Sequence, residues 1–352
     1  MVGWAEFAPQ AGFDKDAEMT TDNPFATPHA PLTAPAAVAS SAGRQPLLFV
    51  VAMTVAAALL FFGSNAVQWI ADLGSYRERL PQYLPTMLAS WLGGLLLYAA
   101  AVLLLVHYLR ERQGILRFQP QAGLLAGFGV AYLIATLVVS TLVSYLSVSF
   151  YQWAFEQDTR TLWMILYGQA NSLINLTLGC LLPLWLVLLV GRSRSERLAP
   201  GQGFTLPSWQ VALGVALTFT ALIYKLLAAL SYGALYLYSG ADGWQSVLLL
   251  SSCALPFAIV MAAVQTRLPP QLSRFAAGQV LACAAILLVM WSVAIVLVSI
   301  LVAFAAYSSL NSSSLPLYLL PPAILLLALL WPLARWCTGW FFAEQLVQSS
   351  AR

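Results

Sequence analysis

The stretch Trp209–Tyr238, WQVALGVALTFTALIYKLLAALSYGALYLY, runs for thirty residues with a single charge, Lys225. A spanning helix needs about 20 predominantly apolar residues, so this run is long enough to cross a bilayer. Taking it as 209–235, seven more runs of the same kind lie around it, at roughly 47–70, 86–108, 122–148, 170–190, 245–265, 276–307 and 316–334. Lipid offers no partner for an unpaired backbone amide, which makes the helix the default spanning element. Barrel strands would alternate apolar and polar residues over about ten positions, and these runs do not alternate. Composition agrees: the chain is 61% hydrophobic and 8% charged, with mean hydropathy +0.80, against roughly 45–50% apolar and 25% charged in soluble domains. The sequence predicts an all-α polytopic transmembrane helix bundle of about eight spans.

Orientation follows from the basic residues. With the N-terminus in the cytoplasm, that side receives Lys15, Arg44, Arg110, Arg112, Arg117, Arg192, Arg194, Arg197, Arg267, Arg274, Arg335 and Arg352. The opposite side receives Arg77, Arg79 and Arg160. This positive-inside bias places both termini in the cytoplasm. Topology thus accounts for the basic residues, and the net charge of +3 implies no nucleic-acid partner. The domain reading is a disordered Pro/Ala-rich cytoplasmic tail over 1–45, an eight-span domain over 46–338, and a short interfacial tail over 339–352. The tail lacks the basic-then-apolar layout of a secretory signal. Met19 opens a second plausible start, so residues 1–18 are an expectation to check by N-terminal peptide mass.

The segment Asp22-Asn23-Pro24-Phe25-Ala26-Thr27-Pro28 resembles the Asn-Pro-aromatic-x-x-Pro tail that precedes the first span of many uncharacterised bacterial inner-membrane proteins. The resemblance covers only this segment; it implies a bacterial inner-membrane location and no activity. A second likeness is internal. Spans 3 and 7 both open on Arg-Phe, at Arg117-Phe118 and Arg274-Phe275. If spans 1–4 and 5–8 were duplicated they would be parallel repeats, because four spans preserve orientation.

Conventional chemistry is sparse. Two histidines, His29 and His107, stand far apart in sequence, and Cys180, Cys253, Cys283 and Cys337 lie singly in or near different spans. No metal-ligand spacing, nucleophilic triad or phosphate loop is visible, so the sequence predicts no cofactor, no metal and no enzyme. Gly123-x-x-x-Gly127, with Gly129, reads as a packing surface within the chain or, alternatively, as a dimer seam. Pro183, Pro256, Pro321, Pro322 and Pro332 read as kinks. Trp69, Trp209, Trp244, Trp331 and Trp340 read as interfacial anchors. The aromatic-rich loop Phe150–Gln169 and the tail Trp340–Arg352 read as segments lying on the outer and inner surfaces.

Lys225 remains. A charge inside a span is a functional-site hypothesis by default. Gly214, Thr218, Ala221, Ala228, Ala229 and Tyr232 share its helix face, so a small-residue face should turn it into the bundle. Asn171 and Asn175 at the outer start of span 4, and Asn65 near the outer end of span 1, fall at a similar depth. The alternatives are a lysine that snorkels to the headgroups, one held by a structural hydrogen bond, and a ligand site of Lys225, Asn171, Asn175 and Asn65. Two functions follow. One is a permease or channel-like protein with an outward-facing polar cavity for a small, anionic solute. The other is a non-transport membrane scaffold or regulatory subunit that packs against a membrane-protein partner or a second copy. A hydrated cavity around Lys225 separates them.

Overall fold

The computed structural model describes residues 36–71, 76–157, 159–198, 205–235, 245–307 and 315–350. The Asp22–Pro28 motif, both candidate starts and Trp244 lie outside these residues. The helices are α1 (Ala36–Ala71), α2 (Tyr76–Gln113), α3 (Gln121–Phe155), α4 (Arg160–Ile174), α5 (Leu182–Gly191), α6 (Ser208–Leu235), α7 (Gln245–Arg267), α8 (Ala277–Tyr307), α9 (Leu315–Phe341) and α10 (Ala343–Ser350). A π-helical segment, Asn175–Leu181, joins α4 to α5 into one span. Eight helical segments among the described residues are long and apolar enough to cross a membrane. Their outer surfaces need lipid: Phe304 is 82% exposed, and Tyr145, Val190 and Ile70 are nearly as bare. Monomeric soluble proteins rarely leave large contiguous apolar patches uncovered. The chain is a multi-pass membrane protein.

Two apolar cores organise the bundle. One is built around Phe49, Met53, Val102, Val106, Phe128, Leu184 and their neighbours on α1, α2, α3 and α5. The other gathers Phe219, Val260, Phe275, Leu287, Leu330 and their neighbours, chiefly on α6–α9. Helix α2 serves both, with Leu95 and Val102 in the first while Leu96 and Leu104 pack on the second. Within each set of four spans the first packs on the second and third, and the fourth packs on the third and second. This shared order matches the arrangement that parallel repeats would give. Phe118 and Phe275, the Phe of each Arg-Phe pair, are both fully buried at the starts of spans 3 and 7.

The Arg-rich face is tied by polar contacts that fix the helix ends. Strand β1 (Ile115–Arg117) pairs antiparallel with β2 (Glu196–Arg197), and β3 (Leu206–Pro207) with β4 (Gln271–Leu272). Buried Gln45 donates from Nε2 to the Phe118 carbonyl at 2.8 Å and accepts the Phe118 N–H at 3.0 Å. Gln210 Nε2 reaches the Gly43 carbonyl at 2.5 Å. Glu111 at the end of α2 accepts the N–H groups of Phe275 and Ala276, just before α8. An anionic acceptor at a helix N-terminus satisfies orphan donors and suits the helix dipole. His107, stacked on Phe275 at 3.8 Å, is a packed core residue.

Four features add to or differ from the sequence reading. Helix α1 starts at Ala36, inside the 1–45 segment, because the Ala-rich run before Pro46 is a good helix former. The Phe150–Gln169 stretch is mostly the ends of α3 and α4, closed by Phe150 stacked on Tyr167 at 4.3 Å and Trp153 against Trp163. The C-terminal tail forms α10 and is pinned to the start of α8, through the Arg274–Glu344 ion pair and Gln345 Nε2 to the Arg274 carbonyl. Gly123 and Gly127 are exposed, and a Cβ on Gly127 would meet nothing within 4 Å, so they form no packing surface with the other described residues. The close helix approaches occur at Gly93, Gly191 and Gly214, where an added Cβ would fall on Tyr224, Leu124 and Phe275.

Candidate functional site

Helix α6 presents Gly214, Thr218 and Ala221 buried on the face that also carries Lys225. That face turns inward as its small residues require. Lys225 lies seventeen residues beyond Ser208, about 25 Å along the helix at 1.5 Å per residue, in the half of a ~30 Å core away from the Arg-rich face. It is half-buried. Its ammonium donates to Ser172 Oγ at 2.8 Å, across the contact between α4 and α6. Across α4 and α6 the lysine thus has a neutral hydroxyl as its hydrogen-bond partner. An ammonium has three donors. Among the described residues Ser172 is the protein partner, and no carboxylate pairs with the charge.

The neighbourhood of Ser172 explains why a polar side chain tolerates this depth. Asn171 precedes it, and Asn175 folds back one turn, with Nδ2 at 2.9 Å from the Asn171 carbonyl and 2.5 Å from Asn171 Oδ1. The π-helical segment starts at Asn175, and Leu182 N–H reaches back to the Thr177 carbonyl. Pro183 follows and has no N–H for the Gly179 carbonyl four residues earlier. Thr136 Oγ1 on α3 serves that carbonyl instead, at 3.4 Å. Lipid leaves such a freed group no other partner. Single π turns inside helices occur frequently at functional sites.

On the other flank, Tyr224 lies over Gly93 of α2 and hydrogen-bonds Ser90. Ser90, Tyr224, Lys225, Ser172 and Asn171 thus come from α2, α4 and α6, where the two four-span sets meet, with Asn175 opening the π-helical segment beyond α4. Of the residues proposed from sequence, Lys225 bonds Ser172, the chain neighbour of Asn171, while Asn171 and Asn175 bond each other one turn apart. Asn65 is used elsewhere: its Nδ2 donates to the Phe61 carbonyl at 2.6 Å and its Oδ1 accepts from Tyr76. Arg77 caps the same end of α1 through the Trp69 carbonyl at 2.8 Å. Asn65 therefore closes the α1–α2 hairpin. Ser172 went unnoticed in the sequence because a serine in an apolar helix is ordinary; the signal was its place next to Asn171 at the depth of Lys225.

Two cavities stand out among the described residues, both at the Arg-rich face. One is lined by Arg267, Arg335, Trp336, Gly339 and Trp340, the other by Tyr108, Glu111, Arg112 and Arg274. Neither is lined by Lys225. All four cysteines are buried and free, and no group of three or more His, Cys, Asp or Glu converges among the described residues. The fold and site define an eight-span membrane protein with a lysine-centred polar seam. Comparison with known proteins finds no matching family model, no matching curated protein and no matching solved structure.

Proposed function

We propose that this protein handles a small anionic solute at the seam between its two four-span sets, as a permease or channel-like protein of the bacterial inner membrane. The observation that carries this reading is Lys225: a half-buried ammonium bonded to one neutral hydroxyl, with no carboxylate partner among the described residues. Keeping a charge in a span is costly and favours a use for it. The seam position suits the reading, because transporters built from repeats bind at the repeat interface. In this reading Lys225 attracts the anionic group, Ser172 and Asn171 orient it, and the π turn before Pro183 supplies a segment that can change its hydrogen bonding. The Arg-rich face is cytoplasmic and the lysine lies toward the exterior.

The test is counterflow of a panel of labelled inorganic and organic anions in proteoliposomes carrying wild type, Lys225→Met and Lys225→Arg. Lys225→Met keeps length and apolar packing while deleting the charge, so it should abolish flux at unchanged abundance. Lys225→Arg should restore part of it, since a planar fork replaces a compact ammonium imperfectly. Equal flux through Lys225→Met and wild type would overturn the reading.

A second reading, a scaffold or regulatory subunit, has its own support. The exposed Gly123-x-x-x-Gly127 face of α3 is a surface on which another helix could approach closely, and neither cavity adjoins Lys225. No anion moving faster than in empty liposomes would favour it.

A further inference from the structure

The larger cavity on the Arg-rich face has a different character from the seam. It is about 530 Å³, within the roughly 300–1,000 Å³ usual for ligand sites. Arg267, the last residue of α7, and Arg335 in the last turns of α9 supply two positive charges, and no carboxylate of the described residues lines it. Neither guanidinium makes an ion pair or hydrogen bond among the described residues. The other Arg-lined cavity differs, because its Arg274 is paired with Glu344 and its Glu111 caps the start of α8.

The floor is Gly339. A Cβ there would stand 3.6 Å from both Nε and Nη2 of Arg267, so the guanidinium lies across bare backbone. The wall is Trp336 and Trp340, one turn apart with ring centroids 5.4 Å apart. They are 56% and 61% exposed, as are the apolar Ile324 and Leu325, eleven residues before Arg335 and Trp336 and so on the same face of α9. Two unpaired guanidiniums at the end of a hydrophobic surface, with indoles at the boundary, match a molecule that is anionic at one end and apolar along its length. Guanidinium forks suit phosphate oxygens, and basic pockets between helices on the cytoplasmic side suit anionic headgroups.

We propose that Arg267, Arg335 and the Gly339 floor hold the phosphate of an anionic phospholipid from the Arg-rich leaflet. Trp336 and Trp340 flank its glycerol backbone, and its acyl chains run along α7 and α9. A free phosphate would share the guanidiniums but leave the indoles and the apolar strip without a role.

The experiment uses the full chain purified in neutral detergent, with phosphatidylglycerol and phosphatidylcholine as probes and bound lipid counted by native mass spectrometry. Wild type should retain phosphatidylglycerol preferentially. Arg267→Gln with Arg335→Gln should weaken that retention about thirtyfold, the effect of two interfacial charges. Gly339→Leu deletes no charge but pushes the Arg267 guanidinium off the bare backbone, and should also lose the lipid, which guards against a fold defect peculiar to the arginine variants. Millimolar inorganic phosphate should not displace it. Equal retention of the two lipids, unchanged retention in both variants, or displacement by inorganic phosphate would each overturn the assignment.

Discussion

Replacing Gly93 with alanine should damage this protein far more than the loss of a glycine suggests. The added Cβ would lie 1.9 Å from Tyr224 Cζ, 2.3 Å from Cε1 and 2.4 Å from Oη. Ordinary contact begins near 3.4 Å, so the ring must retreat by about 1.5 Å or leave. Tyr224 is buried in the core of α6–α9 and also bonds Ser90. Overpacking costs about 1–3 kcal/mol and the lost hydrogen bond about 1 kcal/mol more. The sum is about 2–4 kcal/mol, bounded above by the ~3–5 kcal/mol of deleting an aromatic ring. Thermal melting of a fluorescent fusion in mild detergent, read by size exclusion, should show a midpoint several degrees lower. Tyr224→Ala removes the obstacle, so Gly93→Ala added to it should cost almost nothing, and the cycle should show strong coupling. A wild-type melt for Gly93→Ala, or simple additivity, would refute the claim that this ring locks α2 to α6.

Gly127→Ala should leave the same melt unchanged, since its Cβ would meet open space; a drop would place another helix on that face. Glu111→Ala should cost about 1–2 kcal/mol through the lost cap on α8, seen as a lower midpoint. Thr136→Val should cost roughly 0.6 kcal/mol and become neutral in a Pro183→Ala background, where the Gly179 carbonyl regains a backbone donor. Reporter fusions at Gly201 and at the C-terminus should both read as cytoplasmic.

Eight spans were legible because apolar length alone marks a membrane helix. The inward aim of Lys225 was also legible, since α6 is small and weakly polar on one face and leucine-rich on the other. Facing was not legible in α3, whose residues are apolar nearly all round: lipid and protein interior are alike to such a helix. Gly123-x-x-x-Gly127 therefore looked like a packing surface, whereas Gly93 carries the tightest approach because a tyrosine from a distant span lies over it. Asn65 matched Lys225 in depth, but depth says nothing about which helices adjoin, and Tyr76 takes its side chain. The π turn had a local signal in Pro183, which frees the Gly179 carbonyl, while its partner Thr136 depends on tertiary packing.

The most direct test of a charged, outward-reachable seam is the reactivity of a thiol placed beside the lysine. Ser172→Cys, in a chain whose four native cysteines are replaced by alanine, is treated from outside intact cells with impermeant methanethiosulfonates. One reagent carries a sulfonate and the other a quaternary ammonium. The account predicts modification of Cys at 172, faster with the anionic reagent, and loss of that preference in Lys225→Met. No modification from outside, or equal rates with and without Lys225, would contradict it.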